Sequence, residues 1–386
     1  MSWSTVRADQ FCTLITDGTH DSPKPQQSGW KLITSKHLKG HYIDFDSANW
    51  ISEADYLKVI SRSAVEQWDI LFSMIGTIGN IYLEKNPHVE YACKNMGIFK
   101  FSGNKENALW MYYYLKSPQA KAYIQTHLRG STQAYVPLGG LREMPVPVPP
   151  QSVRNEIIAV LRPIDEKIEC NNAINDNLQQ QAAALFSSLY DRTNTEVRFT
   201  DLIQILGGGT PKTGENTYWN GNIAFFTPKD VGTPYTLITE KTITEEGLSH
   251  CNSRLYPVNT VFVTARGTVG KVGMSGVPMA MNQSCYALVG KETHQLLVYF
   301  YTLKAVDRLK HKASGAVFDA ITTRDFESEQ IMKLSDDDAK AFLCIAEPMF
   351  QKVLNNCIEN LRLSTLRDSL LPKLMSGEVD VSAVQL

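Results

Sequence analysis

The stretch Phe72-Ser-Met-Ile-Gly-Thr-Ile-Gly-Asn-Ile81 returns later in the chain as Phe262-Val-Thr-Ala-Arg-Gly-Thr-Val-Gly-Lys-Val272, with one residue inserted in the second copy. Each is a short apolar run that ends on two glycines three residues apart. The order around the pair is kept. Asp17-Gly18-Thr19-His20 aligns with Gly208-Gly209-Thr210-Pro211, and Thr34-Ser35-Lys36-His37-Leu38 with Thr227-Pro228-Lys229-Asp230-Val231. Asn95-Met96-Gly97 aligns with Asn282-Gln283-Ser284, and Pro163 through Ile168 with Pro348 through Val353. The offset, roughly 188 residues, is far longer than a solenoid unit of roughly 20–50. This is a duplicated domain-plus-helix. Two diverged copies on one chain imply a ligand with two different halves.

Composition sets limits on the class. A chain of 386 residues has room for two or three domains, each able to bury its own core. With 43% hydrophobic and 20% charged residues it reads as an ordinary globular protein. No apolar run approaches 18 residues and no signal pattern opens the chain, so the expectation is a cytoplasmic protein with no membrane segment. The seven Cys include no CxxC pair and read as reduced, mostly buried residues, not as a zinc site or disulfide framework. The net charge of −2 is unevenly spread. Residues 1–150 carry 15 Lys/Arg against 13 Asp/Glu and 195–333 carry 14 against 13, whereas 151–194 carry 4 against 6 and 334–386 carry 5 against 8. The electrostatic case for nucleic acid is therefore weak on its own, and phosphate neutralisation would fall to local patches or to partners.

After the Pro-rich Met144–Pro150 the pattern turns helical from Ser152 to Arg192, with an expected interruption at Pro163. Ile164, Ile168, Asn171, Asn175, Leu178, Ala182, Leu185 and Leu189 follow a 4-3 spacing, a heptad seam with Asn in two places. Buried Asn costs stability but fixes register and partner. A second helix starts at Ser335-Asp336-Asp337-Asp338, an N-cap with an acidic first turn, and stops at Gly377. Its expected inner side carries Val353, Cys357, Leu361, Leu366, Leu370 and Leu374. Forty residues of helix span about 60 Å. Two readings stand: core helices inside their own domains, or two long helices paired antiparallel between the domains, which the repeat favours.

The globular parts read as β-rich with some helix. Trp68–Ile75, Gly97–Phe101, Asn222–Thr227 and Asn259–Thr264 have strand character. Ala108–Lys116 and Leu296–Ala305 read as helices whose aromatics (Trp110, Tyr112, Tyr113, Tyr114; Tyr299, Phe300, Tyr301) belong to a core more readily than to a base-stacking platform. Gly76/Gly79 and Gly267/Gly270 mark either a hairpin turn or a ligand-facing loop.

The ordered set resembles the specificity subunit of type I restriction-modification systems. It comprises the Gly-Thr loop opening each copy, Ser-Lys-His-Leu and Pro-Lys-Asp-Val, Arg266-Gly-Thr-Val-Gly-Lys271, Ile164-Asp-Glu-Lys-Ile168, and Leu371-Pro-Lys-Leu-Met-Ser-Gly-Glu-Val379. The likeness covers essentially the whole chain. It implies an α+β protein with target-recognition domains at 1–150 and 195–333. Spacer helices at 151–194 and 334–386 would pair antiparallel with pseudo-twofold symmetry. It further implies double-stranded DNA as ligand, one half-site per domain, with two methyltransferase subunits and ATP-dependent restriction subunits as partners. S-adenosylmethionine, ATP and Mg would be used by those partners, with no cofactor in this chain.

Candidate DNA contacts are polar or basic residues that recur in both copies. They are Thr19 and Thr210, Lys36 and Lys229, Thr77 and Thr268, with Arg266 and Lys271. Lys24 and Lys212 follow the Gly-Thr loops, and the loops Arg129-Gly-Ser131-Thr132-Gln133 and Lys312-Ala-Ser314-Gly315 add further candidates. Each could equally be a solvated residue or a turn-former. The first copy departs from the second where Ile75 and Asn80 stand opposite Arg266 and Lys271.

Catalytic signatures are missing. There is no Asn/Asp-Pro-Pro-aromatic sequence and no Gly-rich cofactor turn between a strand and a helix. Leu206-Gly-Gly-Gly-Thr-Pro-Lys-Thr213 has Leu206 and Pro211 where a phosphate loop needs its two Gly. Asp165-Glu166-Lys167 sits on a heptad helix, and the eight His lack metal-ligand spacing. The expectation is a non-catalytic recognition subunit. The alternatives are a protein–protein scaffold with two diverged binding domains, or an enzyme with an unrecognised site.

Overall fold

The computed structural model describes residues 3–40, 42–232, 234–312 and 320–379. The chain divides into two compact units, Met1–Glu169 with Leu363–Leu386, and Cys170–Arg362.

In the first unit the chain enters and leaves its β-rich part through an antiparallel pair, Ser4–Arg7 against Pro145–Val148. A four-stranded antiparallel sheet follows in the order Leu14–Asp17, Met96–Lys100, Ile70–Ser73, Ile81–Leu83. A second sheet places Trp30–Ile33 between antiparallel Asn49–Ile51 and parallel Tyr91–Cys93. The second unit repeats this plan strand for strand. Glu196–Arg198 pairs with Gln330–Met332, and the main sheet runs Ile203–Gly207, Cys285–Gly290, Val261–Thr264, Val272–Ser275, with Tyr235–Thr236 added at its edge. The small sheet places Trp219–Phe226 between antiparallel Lys241–Ile243 and parallel Met279–Met281. The α+β duplication read from the sequence is therefore a duplication of topology.

Alternation along the central strand explains why it is apolar on both faces. Ile70 and Phe72 enter the core beneath the aromatic helix, while Leu71 enters the core between the two sheets. In the second unit Val261 and Val263 take the first role and Phe262 the second. Phe262 thus corresponds to Leu71, not to Phe72. Pairing agrees, since Phe72 faces Ile81 as Val263 faces Val272. The expected one-residue insertion is absent, and a slip of one residue would have turned every side chain to the wrong face. Gly76, Gly79, Gly267 and Gly270 all have φ between 74° and 88°, the left-handed values that let the loop close between antiparallel strands.

The aromatic helices are Lys105–Lys116 and Gln295–Lys312, and their aromatics are buried as expected. Trp110 donates to Pro147 O at 2.8 Å in the terminal strand, and Tyr301 OH accepts from Leu334 N–H at 3.0 Å just beyond the corresponding strand, so both polar tips are satisfied.

The first long helix runs unbroken from Gln151 to Tyr190, straight through Pro163. That corrects the expected interruption. Pro163 and Ala159, whose carbonyl loses its donor, both lie on the exposed side, where solvent replaces the missing bond. The second, Asp336–Ser376, starts with Ser335 Oγ accepting from Asp338 N–H at 3.1 Å. It ends with Gly377 at φ 72°, its N–H on Leu374 O and that of Glu378 on Lys373 O. The helices pack antiparallel: Asp165 meets Arg367, Asn171 meets Asn360 and Asn175 meets Asn356. The expected seam holds on the first helix. On the second, Leu366 is 48% exposed, while Arg367 turns inward and Leu371 and Met375 join Leu374 in the core.

Candidate nucleic-acid interface

In each unit the Gly-Thr loop and the glycine loop leave the same end of the main sheet, and a third recurring loop follows the middle strand of the small sheet. In the first, the turn 34–38 is built by Thr34 N–H donating to His37 Nδ1 at 2.9 Å, and in the second Thr227 N–H donates to Asp230 Oδ2 at 2.8 Å. Different side chains make one turn, with Lys36 and Lys229 exposed at its tip. Burial, reinforced by the Lys36 charge, lowers the His37 pKa and keeps the ring a neutral acceptor. The glycine loop is latched to this turn in both copies: Thr77 Oγ1 donates to Ser35 O at 3.3 Å and Thr268 Oγ1 to Pro228 O at 3.2 Å. Arg129 and Tyr135 exchange backbone bonds at 2.9 Å, closing a small hairpin, and Val136 N–H binds Met74 O beside the glycine loop. Ser131 and Thr132 are exposed within that hairpin.

Thr19 is buried at the base of the site, with its N–H on Cys93 O and its carbonyl accepting from Asn95 N–H. The contact is too close for a side chain at the preceding residue, since a Cβ on Gly18 would stand 2.3 Å from Cys93 O and one on Gly208 2.2 Å from Asn282 O. Gly208 is thus the equivalent of Gly18, and Thr210 takes the place of His20, not of Thr19. Lys24 is exposed on the wall of a cleft with Asp21 and Ser22. The hydrogen bond and charge of Lys58 lower the Asp21 pKa.

Other candidates are placed as follows. Lys229 pairs with Glu240 at 3.5 Å, and both line a cleft with Lys241, Gly267 and Thr268. Lys212 is exposed, its carbonyl accepting from Trp219 Nε1. Arg266 and Lys271 are exposed on either side of the glycine loop. Lys312 lies in the last turn of its helix, not in a loop, and binds the buried Glu329 carboxylate. Ser314 lies outside the described residues. The site thus gathers the candidates loop by loop, but Thr19, Thr77 and Thr268 are turned to the protein's own backbone.

The sequence reading missed Lys310, which flanks the second glycine loop so closely that a Cβ on Gly270 would stand 2.5 Å from its Cε. It also missed the side-chain pairs His20–Asn95 and Thr210–Gln283. Among the described residues no group of three or more His, Cys, Asp or Glu is placed to hold a metal ion, and no helix is long and apolar enough to cross a membrane.

The model of the type I restriction modification DNA specificity domain matches residues 3–180 and 192–333. The chain belongs to this family. It is 21% identical over 415 residues to the type I restriction enzyme HindI specificity subunit of Haemophilus influenzae, covering 85% of this chain and 90% of that one. The MjaIX specificity subunit of Methanocaldococcus jannaschii is 31% identical over 127 residues, 31% of this chain and 29% of that one. The crystal structure of a type I restriction-modification S subunit from M. genitalium has the same fold, with a TM-score of 0.56 at 15% identity over 97% of this chain and 96% of that one. The chain is therefore a DNA specificity subunit of a type I system, and its family is one of recognition and not of catalysis.

Proposed function

We propose that this subunit reads a bipartite, asymmetric DNA site, with residues 1–150 taking one half-site and 195–333 the other. The observation that carries this is the pairing of a shared topology with different loop chemistry. The turn is closed by His37 in one copy and Asp230 in the other, and Ile75 and Asn80 stand where the other has Arg266 and Lys271. One scaffold with two sets of side chains reads two sequences. The exposed Lys36, Lys229, Arg266 and Lys271 hold phosphates and fix register, while polar side chains at the loop tips read base edges. The helices 151–194 and 334–386 set the gap between half-sites and dock two methyltransferase subunits. Those subunits use S-adenosylmethionine to methylate an adenine, and ATP- and Mg-dependent restriction subunits complete the assembly.

Salt dependence tests the DNA reading. With the assembled methyltransferase complex, Lys229→Ala and Lys271→Ala each lower the slope of log K against log salt by about one, through loss of one released counterion. Unchanged slopes for both would remove these lysines from the interface.

A further inference from the structure

Where the two sheets of each domain meet, a turn carries a carboxamide side chain held from the Gly-Thr loop. A second carboxamide in the second domain's turn, Asn282, instead accepts from Ser284 N–H at 3.1 Å within the turn. In the first domain Lys94 N–H binds Ile33 O in the small sheet, Met96 pairs with Ser73 in the main sheet, and Asn95 sits between them at φ 53°. In the second, Asn282 N–H binds Phe226 O, Cys285 pairs with Thr264, and Gln283 lies between. Asn95 therefore corresponds to Gln283, not to Asn282, which takes the place of Lys94. Each carboxamide is held from the equivalent position of the Gly-Thr loop. His20 Nδ1 lies 2.9 Å from Asn95 Oδ1, and Thr210 Oγ1 donates to Gln283 Oε1. His20 is itself fixed by Asp17 Oδ2, 2.8 Å from Nε2.

Both members of the pair differ between the copies, yet the contact is kept. Anchoring the oxygen through one of its two lone pairs fixes the orientation of the amide, leaves the other lone pair and the NH2 for a ligand, and removes freedom that would otherwise be lost on binding. Gln283 is exposed and Asn95 half-buried, and Arg266 N–H reaches Ser284 O, so a cation-bearing residue adjoins the second turn. A carboxamide offers one donor and one acceptor side by side. That pattern matches the N6 and N7 edge of adenine in the major groove.

We infer that Asn95 and Gln283 are specificity-determining residues, each reading an adenine of its own half-site, with His20 and Thr210 as positioning residues. This rests on the bipartite reading above. The test is a base-resolution adenine-methylation map of cells expressing the full subunit with its methyltransferase, wild type against Gln283→Ala and Asn95→Gly. Glycine keeps the positive φ at 95. Gln283→Ala is expected to relax one position of the second block by roughly 10- to 100-fold in discrimination, leaving the first block and the gap unchanged. Asn95→Gly does the converse, and Thr210→Val relaxes the same position as Gln283→Ala, more weakly. Where a variant methylates too little to map, binding of the complex to the wild-type site and its single-base variants replaces the map. Maps identical to wild type, or an equal loss on every sequence, overturn the inference. A wild-type map without two blocks instead overturns the bipartite reading, and this inference with it.

Discussion

Asn356 donates its side-chain amide to Asn175 Oδ1 at 2.8 Å, and four residues away along each helix Asn171 donates to Asn360 Oδ1 at 2.9 Å. By the register that aligns Pro163 with Pro348, Asn171 is the counterpart of Asn356 and Asn175 of Asn360. The two bonds are therefore one contact made twice by the repeat. Asn171 and Asn356 are fully buried and Asn175 nearly so. Such a layer fits one register of the helix pair, because a shift by a turn sets amides against Val353 or Leu178.

Asn175→Ala is expected to destabilise the chain by about 1–3 kcal/mol, because it strands the buried Asn356 amide. Asn175→Leu with Asn356→Leu should recover much of that loss, since replacing both partners by apolar groups is far less costly than removing one. Urea denaturation of the singles and the double measures this. A double variant as unstable as the sum of its singles would remove the pairing account.

At the other end of the helix pair, Asp165 accepts from Arg367 at 2.7 Å and from Lys116 at 3.3 Å, joining both helices to the aromatic helix. Burial alone would raise the Asp165 pKa, but the Lys116 and Arg367 charges win and hold it below the usual carboxylate value. The stability it confers is then present above the unfolded-state pKa, about 4, and is lost as pH falls through the lower folded value. Asp165→Asn should cost about 3 kcal/mol at neutral pH, with the gap to wild type closing below about pH 4. A difference independent of pH would contradict the ionic role.

Thr268→Val removes the latch between the glycine loop and the 227–231 turn. One exposed hydrogen bond is worth about 1 kcal/mol or less, so global stability should hardly move. Hydrogen exchange of the Asp230 amide, bound to Thr227 O, should quicken. Unchanged exchange would place the turn's rigidity elsewhere.

Gly377→Ala puts a Cβ on a left-handed residue that closes the second long helix, at a cost of about 1 kcal/mol. A thermal melt reads it directly, and a stabilised variant would show that the cap is not formed in solution.

Much of this was legible because it depends on spacing. The Asn seam followed from a 4-3 repeat, the cap at Ser335 from its acidic run, and the duplication from the order of short motifs. What was not legible depends on faces and partners. Phe72 and Phe262 match by letter but point to opposite sides of their sheets, which only strand pairing reveals. Leu366 fits the apolar pattern, yet Arg367 turns inward because Asp165 waits there. Thr77 and Thr268 recur in both copies and each donates to the neighbouring turn, an architectural contact that recurrence alone did not reveal. The carboxamide turn was misaligned by one residue because Ser284 lengthens it in the second copy.

The most direct test of bipartite reading is an adenine-methylation map at base resolution. The cells should lack other adenine methylation and express this subunit with its partner methyltransferase, with a control omitting this chain. The account predicts one new non-palindromic motif, two short blocks separated by a fixed gap, that vanishes in the control. A single continuous or palindromic motif, or none from an active methyltransferase in a soluble complex with this chain, would contradict it.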